Sequence, residues 1–259
     1  MPLPSITVVT PCMNAAATIE RTLESVRSQG YPEVEHVVVD GGSSDGTVEI
    51  LERAEGVRFI SEPDRGLSDA MNKGIGMASG EVVGWLNADD AYEPGALLAA
   101  GQAFADHPEA PWVTGPCRIV DGEGNAIRGW VSAYKRFFLR RYSHALLVTH
   151  NFVQCPSTFI RAEALKQVGP LDERYRYSMD YDLWLRLAKL GDPVVLDADL
   201  ASFTMAEGTL SMAGFEDQFR EHAENARTHG DRHRAAVAVN AAVSRLIPLA
   251  YRAMRAVRR

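Results

Sequence analysis

The sequence predicts an α/β fold: an open, mostly parallel sheet flanked by helices, with a small antiparallel element and a C-terminal helical tail. Three observations carry this expectation. Short β-branched runs alternate with segments of helical periodicity as far as Asp90, the pattern of a parallel sheet covered by helices. Two apolar runs joined by "DGEGN" then suggest a hairpin, hence antiparallel pairing. From about Gly214 the chain reads as helix to its end, with one break expected at Pro248.

The elements follow in order. "SITVVT" (5–10) is strand-like, and Ile19, Leu23 and Val26 then fall at helical spacing before Gly30, which can end the helix. "HVVVD" (36–40) is the next strand, followed by the turn "GGSSDG" and a helix through Val48, Ile50 and Leu51. "VRFI" (57–60) is a third strand, "LSDAMNKGIGMAS" a helix and "EVVGWL" (81–86) a fourth strand. A helix around Pro94 to Ala105 leads to the expected hairpin in "WVTGPCRIVDGEGNAIRGW". "STFIRAEALKQVG" reads as strand then helix, "MDYDLWLRLAKLG" as helix and "PVVLD" (193–197) as a late strand. With no internal repeat and no low-complexity linker, the expected division is one domain over 1–213, in halves 1–110 and 111–213, and a helical, basic tail over 214–259.

A formal charge of −7 over 259 residues lacks the basic footprint of a nucleic-acid binder. The charge is unevenly spread. Arg232, Arg234, Arg245, Arg252, Arg255, Arg258 and Arg259 close the chain with no carboxylate among them, and Leu246, Ile247, Leu249, Ala250, Met254 and Val257 lie between. Such a helix either packs on its own domain or lies on an anionic membrane surface. Lys135, Arg136, Arg140 and Arg141, interleaved with Tyr134, Phe137, Phe138 and Tyr142, form a second candidate for contact with an anionic surface. Cys12, Cys117 and Cys155 are widely spaced and odd in number, which fits a reducing cytosol. No signal peptide and no apolar run of about 20 residues is apparent. The expected location is cytoplasmic, peripheral to the inner face of the membrane if the tail binds lipid.

Ligands of open α/β sheets bind beyond the carboxyl ends of the strands. Thr10 and Pro11, Asp40, Glu62 and Asp64, and Asn87 to Asp90 all fall there. Asp45 reads as a turn former or cap. Asp89 and Asp90 are hard oxygen ligands suited to Mn2+ or Mg2+, needing only one or two carboxylates when substrate phosphates complete the shell. Capping of the following helix accounts for Asp90 equally well. No P-loop and no GxGxxG occurs. On a helix through "YSMDYDLWLRLAKLG", Asp180 projects onto the apolar stripe with Leu183, Trp184 and Leu187, whereas Asp182 projects opposite, with an i,i+4 partner in Arg186. Asp182 thus reads as structural. Asp180 reads as a cap or, beside a cleft, as a base whose pKa is raised by partial desolvation.

Five segments, in order, resemble family 2 inverting glycosyltransferases of the GT-A fold: "ITVVTPCMNAAATIERTLESV", "VVVDGGSSDGT", "SEPDRGLSDAMNKGIGMASGE", "WLNADD" and "QCPSTFIRAEALKQVGPLDERYRYSMDYDLWLRLA". The resemblance spans roughly Ser5 to Ser211. It implies a nucleotide-diphosphate sugar donor, with UDP favoured over GDP or dTDP, bound by the half 1–110, and a glycan or lipid-linked acceptor in the half 111–213. Bacterial polysaccharide or glycolipid assembly is the implied setting. Thr10, Pro11, Asn14, Asp40, Asp64, Arg65, Asn72, Asn87 and Asp89 fall in the nucleotide-sugar segments. Asp89 and Asp90 match the metal-binding acidic motif, with Asp90 favoured as ligand, and Asp180 matches the catalytic base. His150, Asn151, Gln154 and Ser157 could read acceptor hydroxyls. Three positions depart from the family: Gly41 where a second acid often follows Asp40, Asn87 at the head of the acidic triplet, and Met179 in place of the usual Glu. A nucleotidyltransferase would be expected to carry a Gly-rich, basic loop after the first strand, and "TPCMNAAAT" has neither feature. A non-catalytic sugar-binding protein would be expected to lose Asp90 or Asp180.

Overall fold

The computed structural model describes residues 2–205 and 214–257, with side chains described as far as Leu249. Its first half is built from four parallel strands, β1 (Ile6–Cys12), β2 (Val34–Asp40), β3 (Val57–Ser61) and β4 (Val82–Trp85). Helices α1 (Ile19–Arg27), α2 (Thr47–Arg53) and α3 (Leu67–Met77) connect them. β1 and β2 are nearly continuous apolar runs because both faces are covered: Val8, Val9, Val37, Val38 and Val39 are all buried. Gly74 lets α3 lie close on β1, since a Cβ there would sit 2.3 Å from a Val9 methyl.

The second half comprises β5 (Ala91–Tyr92), α4 (Ala96–Asp106), β6 (Trp112–Thr114), β7 (Cys117–Val120), α5 (Gly129–Leu139), α6 (His144–Thr149), a 3-10 turn (Cys155–Ser157), β8 (Thr158–Arg161), α7 (Ala162–Val168), α8 (Met179–Leu187), β9 (Val194–Val195) and β10 (Ala201–Thr204). Two helices follow, α9 (Phe215–His229) and α10 (Arg234–Val257). The large sheet has seven strands in the order β3-β2-β1-β4-β8-β6-β9, with β8 antiparallel to β4 and β6. A separate three-stranded sheet has the order β5-β10-β7.

Two expectations are corrected. The hairpin over 112–130 does not form: β6 joins the large sheet, β7 crosses to the small one, and the turn closes on a single bridge between Val120 and Ala126 before α5 begins. Gly115 and Pro116 divide the two strands, and Pro has no N–H to continue a ladder. The tail is also not broken at Pro248, which lies inside α10. The chain turns instead at Gly230, where a Cβ would lie 2.5 Å from the Ala226 carbonyl oxygen and 2.5 Å from a Val237 methyl, so only glycine lets α9 and α10 close on each other. Both helices pack on the domain, with Asn225, Ala226, Ala236 and Asn240 buried. Arg258 and Arg259, and the side chains of Ala250, Arg252, Met254, Arg255 and Val257, lie outside the described residues.

Candidate active site

The "NADD" turn emerges from β4 at the carboxyl edge of the sheet. Asn87 accepts from the Trp85 indole N–H at 2.9 Å and donates its amide to Asp90 Oδ2 at 3.0 Å. An aspartate at 87 would set two carboxylates against each other, which is a physical reason for the neutral residue. Asp90 is fully buried, and its Oδ1 accepts from the Thr204 N–H at 2.8 Å. Burial, then the charge of Asp89, pushes the Asp90 carboxyl well above the usual range. Asp89 is half-buried, and its carboxyl is raised by burial against the pull of its own backbone N–H and Arg21. Helix α1 clamps the turn from beneath: Arg21 donates to the Asp89 carbonyl at 2.5 Å and to Thr204 Oγ1 at 2.7 Å, and Thr22 donates to the Asp90 carbonyl at 2.7 Å. Of the two acids, Asp89 presents the freer carboxylate, a hard oxygen ligand suited to a divalent cation. Among the described residues no group of three His, Cys, Asp or Glu could hold a metal by itself.

Loops beyond β1 to β3 form the neighbouring wall. The Thr10 hydroxyl is buried against His36 Nε2 at 2.9 Å, and Pro11 is buried in the strand opposite Val39. Asn14, at a left-handed φ of 51°, accepts from the Ser44 N–H at 3.0 Å and takes the Ser43 hydroxyl on its own N–H at 2.7 Å. Asp40 accepts from the Gly42 N–H at 3.1 Å, from the Ser43 N–H at 2.9 Å, from the Ser43 hydroxyl and from Ser61 Oγ at 2.7 Å. Burial alone would raise its pKa, but these donors hold it below the usual range. Gly41 leaves room for Asp64, whose Oδ2 would lie 2.4 Å from a Cβ at that position. An acid from the loop after β3 therefore fills the space beside the missing second acid of β2. Arg65 is bound to Asp69 at 2.8 Å and Glu173 at 2.9 Å. Both ends of the Asn72 amide bond Leu171, at 3.0 and 2.8 Å, tying α3 to the segment before α8. Asp45 bonds the Thr47 N–H and hydroxyl at 3.1 and 2.6 Å, as a turn former does.

Asp180 sits in the first turn of α8, half-buried, with Oδ1 on the Tyr181 N–H at 2.7 Å and Oδ2 near the Asn151 amide at 3.2 Å and the Cys155 thiol at 3.5 Å. Burial raises its pKa, opposed by these donors and by the charge of Lys135. Asp182 takes the structural place expected of it, pairing with Arg186 at 2.8 Å and with His229 of α9 at 2.7 Å. The antiparallel register, Gly84 opposite Phe159, carries the end of β4 alongside the turn that holds Cys155. Cys155 bonds Asp180 and also feels the charge of Asp90, so one side chain links the two acidic centres.

Residues 7–169 match the sequence profile of Glycosyl transferase family 2. The chain belongs to this family. The transferase is 31% identical over 206 residues to an uncharacterized glycosyltransferase of Mycobacterium tuberculosis, covering 77% of this chain and 75% of the relative. It is 29% identical over 192 residues to the PGL/p-HBAD biosynthesis glycosyltransferase of Mycobacterium bovis, covering 72% and 70%. Among solved structures, the Pyrobaculum calidifontis mannosyltransferase PcManGT in complex with GDP-Man and Mn2+ superposes with a TM-score of 0.70 at 20% identity, over 93% of this chain and 74% of that one. S. aureus TarS 1-349 in complex with UDP-GlcNAc gives a TM-score of 0.67 at 20% identity. The transferase spans 66% of that TarS chain and 85% of its own length is matched. The fold is that of the GT-A neighbours.

Several polar groups in the half 111–213 and in α9 are buried without partners, among them His150 Nε2, Asn151 Oδ1, Gln154 Oε1 and His222 Nε2. Orphaned buried groups call for an explanation, and Asn151 is the one of these four residues bonded to Asp180. Ser157 differs, being fully buried with its hydroxyl on the Gln154 carbonyl at 3.2 Å. Burial, then Lys135, lowers the His150 pKa to about 4, leaving it neutral. Sequence reasoning missed Arg21, Glu221 and Asn225. Glu221 of α9 accepts from the N–H groups of Arg176 and Tyr177 at 3.1 and 2.8 Å and from Ser178 Oγ at 3.1 Å, while Asn225 donates to Ser178 Oγ at 2.9 Å. The tail thereby holds the entry to α8.

Proposed function

We propose that this chain is an inverting transferase that moves a sugar from a nucleoside-diphosphate sugar to a hydroxyl of a glycan or lipid-linked acceptor. The observation that carries this reading is Asp180: a half-buried carboxylate on the acceptor side, held by Asn151 and Cys155 among unpartnered polar groups. Asp180 takes the proton of the acceptor hydroxyl as its oxygen attacks the anomeric carbon. The bond from that carbon to the diphosphate breaks on the opposite face, and the diphosphate leaves with the electron pair. Asp89 would hold Mn2+ or Mg2+ together with donor phosphate oxygens, and the cation's chemistry is neutralisation of the departing diphosphate. Asp90, with both oxygens bonded to Thr204 and Asn87, supports that turn. Asn14, Asp40, Asp64 and Arg65 line the nucleotide side, Asp64 lying where a second acid after Asp40 is absent.

UDP and GDP donors are both compatible with the ligands named for the structural neighbours. A role in polysaccharide or glycolipid assembly is in keeping with relatives named for chondroitin synthesis and PGL/p-HBAD biosynthesis. Among the described residues no helix is long and apolar enough to cross a membrane, and membrane contact is assigned to the exposed end of α10.

The test is calorimetry with UDP, GDP, dTDP and CMP, each with Mn2+ and with chelator, on wild type and Asp89→Ala. Binding of one diphosphate that is weakened in the variant only when Mn2+ is present supports the reading. Equal weakening in chelator removes Asp89 as the metal ligand.

A further inference from the structure

Most basic residues on and after α5 are engaged. Arg136 pairs with Asp199 at 2.6 Å, Arg140 with Asp197 at 2.9 Å, and Arg141 lies 3.8 Å from the centroid of the Phe137 ring. Lys135 has no hydrogen bond or ion pair among the described residues. Its position on the helix accounts for this difference. Phe138 and Leu139 follow it at i+3 and i+4, so the three share one face; Leu139 is buried in the core and Phe138 packs against it. Lys135 is the charged member of that inward face, and it is half-buried.

What it faces is the acceptor side of the cleft. Helix α5 rests on His150 through Tyr134 and Phe138, with ring centroids 5.5 and 4.6 Å apart, and the next residue, Asn151, donates to Asp180 at 3.2 Å. The charge of the ammonium is felt by Cys117 of β7, Cys155 of the turn before β8, His150 after α6, Asp180 of α8 and His222 of α9. Burial keeps the two thiols protonated and lowers the His150 and His222 imidazoles to about 4 and about 3, so all four are neutral near pH 7. Burial lowers the Lys135 ammonium below its ordinary value, and among the described residues Asp180 is the one carboxylate whose charge opposes this.

We propose that Lys135 is the counter-cation of Asp180, a positioning residue that keeps the carboxylate ionised from across the acceptor pocket. The inference rests on the base role given to Asp180 above. A carboxylate enclosed by neutral side chains tends to take up a proton, and a base that is already protonated cannot accept one from a hydroxyl. A lysine in direct contact would remedy this but would occupy the place of the acceptor oxygen. At a distance beyond ion pairing, Lys135 leaves that place open, and its field strengthens when a bound acceptor displaces water.

The test uses Lys135→Met, Lys135→Arg and Asp180→Asn in the full chain, with thermal melts to verify folding. The Asp180 side chain is titrated by NMR in protein labelled with 13C at aspartate Cγ, its signal assigned by its loss in Asp180→Asn. In Lys135→Met the carboxyl midpoint is expected to rise by about one pH unit, the scale of a single nearby charge, and Lys135→Arg is expected to restore it. The acid limb of kcat should move by the same amount with donor KM unchanged. An unmoved midpoint in folded Lys135→Met overturns the proposal, as does a raised donor KM with an unmoved acid limb, which would make Lys135 a donor ligand. A midpoint that moves in protein lacking transfer with every donor upholds the charge coupling and instead defeats the transferase reading.

Discussion

In the proposed reaction Asp180 is a base only while ionised, so its raised pKa gives a pH dependence. Burial raises the carboxyl, and transfer is expected to fall as pH drops through a midpoint above the ordinary carboxylate value of 3.8. Asp180→Asn should reduce kcat by about 10²–10⁴-fold, the usual worth of general base catalysis, while nucleotide binding by calorimetry stays near wild type. Loss of nucleotide binding would make the residue structural. Asp40 has the opposite sign. Its folded pKa is depressed, so the stability it contributes is present above its unfolded value and is lost as pH falls through the folded one. Asp40→Asn should therefore cost about 1–3 kcal/mol near neutrality, and its melting curve should converge with that of wild type in strong acid. The helical projection set Asp180 inward and Asp182 on the opposite face, but Asp182 is the more buried of the two, because α9 covers its face through His229, and Asp180 is half-buried. For Asp89 and Asp90 the resemblance favoured Asp90 as ligand; both follow β4 in sequence, and only the bond from Thr204, 114 residues from Asp90, reveals that the Asp90 carboxylate is turned inward and Asp89 is the freer one.

At the scale of elements, α8, which carries Asp180, depends on α9. Glu221 gathers two backbone N–H groups and a hydroxyl from residues 176–178, just before Asp180. Glu221→Ala leaves these donors without their acceptor, at about 1–3 kcal/mol for an unsatisfied buried group. The expected result is a lower Tm with reduced kcat and unchanged donor KM, measured on the same preparation. A reduced Tm with full kcat would confine Glu221 to stability. Hydrophobic periodicity announced α9 as a helix, but not this contact, since a helix pattern says which face is buried and not what buries it. The expected hairpin failed for a related reason: the turn "DGEGN" closes on the one bridge between Val120 and Ala126, and α5 takes up the end of the expected second arm from Gly129 while β7 pairs with β10. The four parallel strands were legible because each is a long buried run, whose alternation with helices leaves few topologies open.

For the whole molecule, the remaining question is why so many arginines follow a domain that is acidic elsewhere. The first part of α10 belongs to the fold: Asn240 donates to the Val148 carbonyl at 3.0 Å and to the hydroxyl of Tyr181, a residue of α8, at 3.3 Å. Beyond it, Leu246, Ile247 and Leu249 are 64%, 41% and 57% exposed, apolar surface that the domain does not cover. On the proposed membrane contact, packing and lipid binding divide along one helix instead of being alternatives. Basic residues near an anionic surface gain about 1 kcal/mol each, so a helix end of this kind can hold the transferase at a membrane without spanning it. Ending the chain after Val243 keeps Asn240 and its bonds to Val148 and Tyr181, and removes the Ser244 hydroxyl that donates to Asn240 Oδ1 at 3.1 Å. The truncated protein should therefore melt within about 2 °C of the full chain, a shift below that of about 1 kcal/mol in a domain of this size. It should also transfer normally to a water-soluble acceptor. Co-sedimentation with vesicles containing anionic lipid should fall with truncation and, in the full chain, with added salt. Co-sedimentation that survives the truncation would move the membrane contact elsewhere, and a large drop in Tm would mean that the last turns of α10 are part of the folded core.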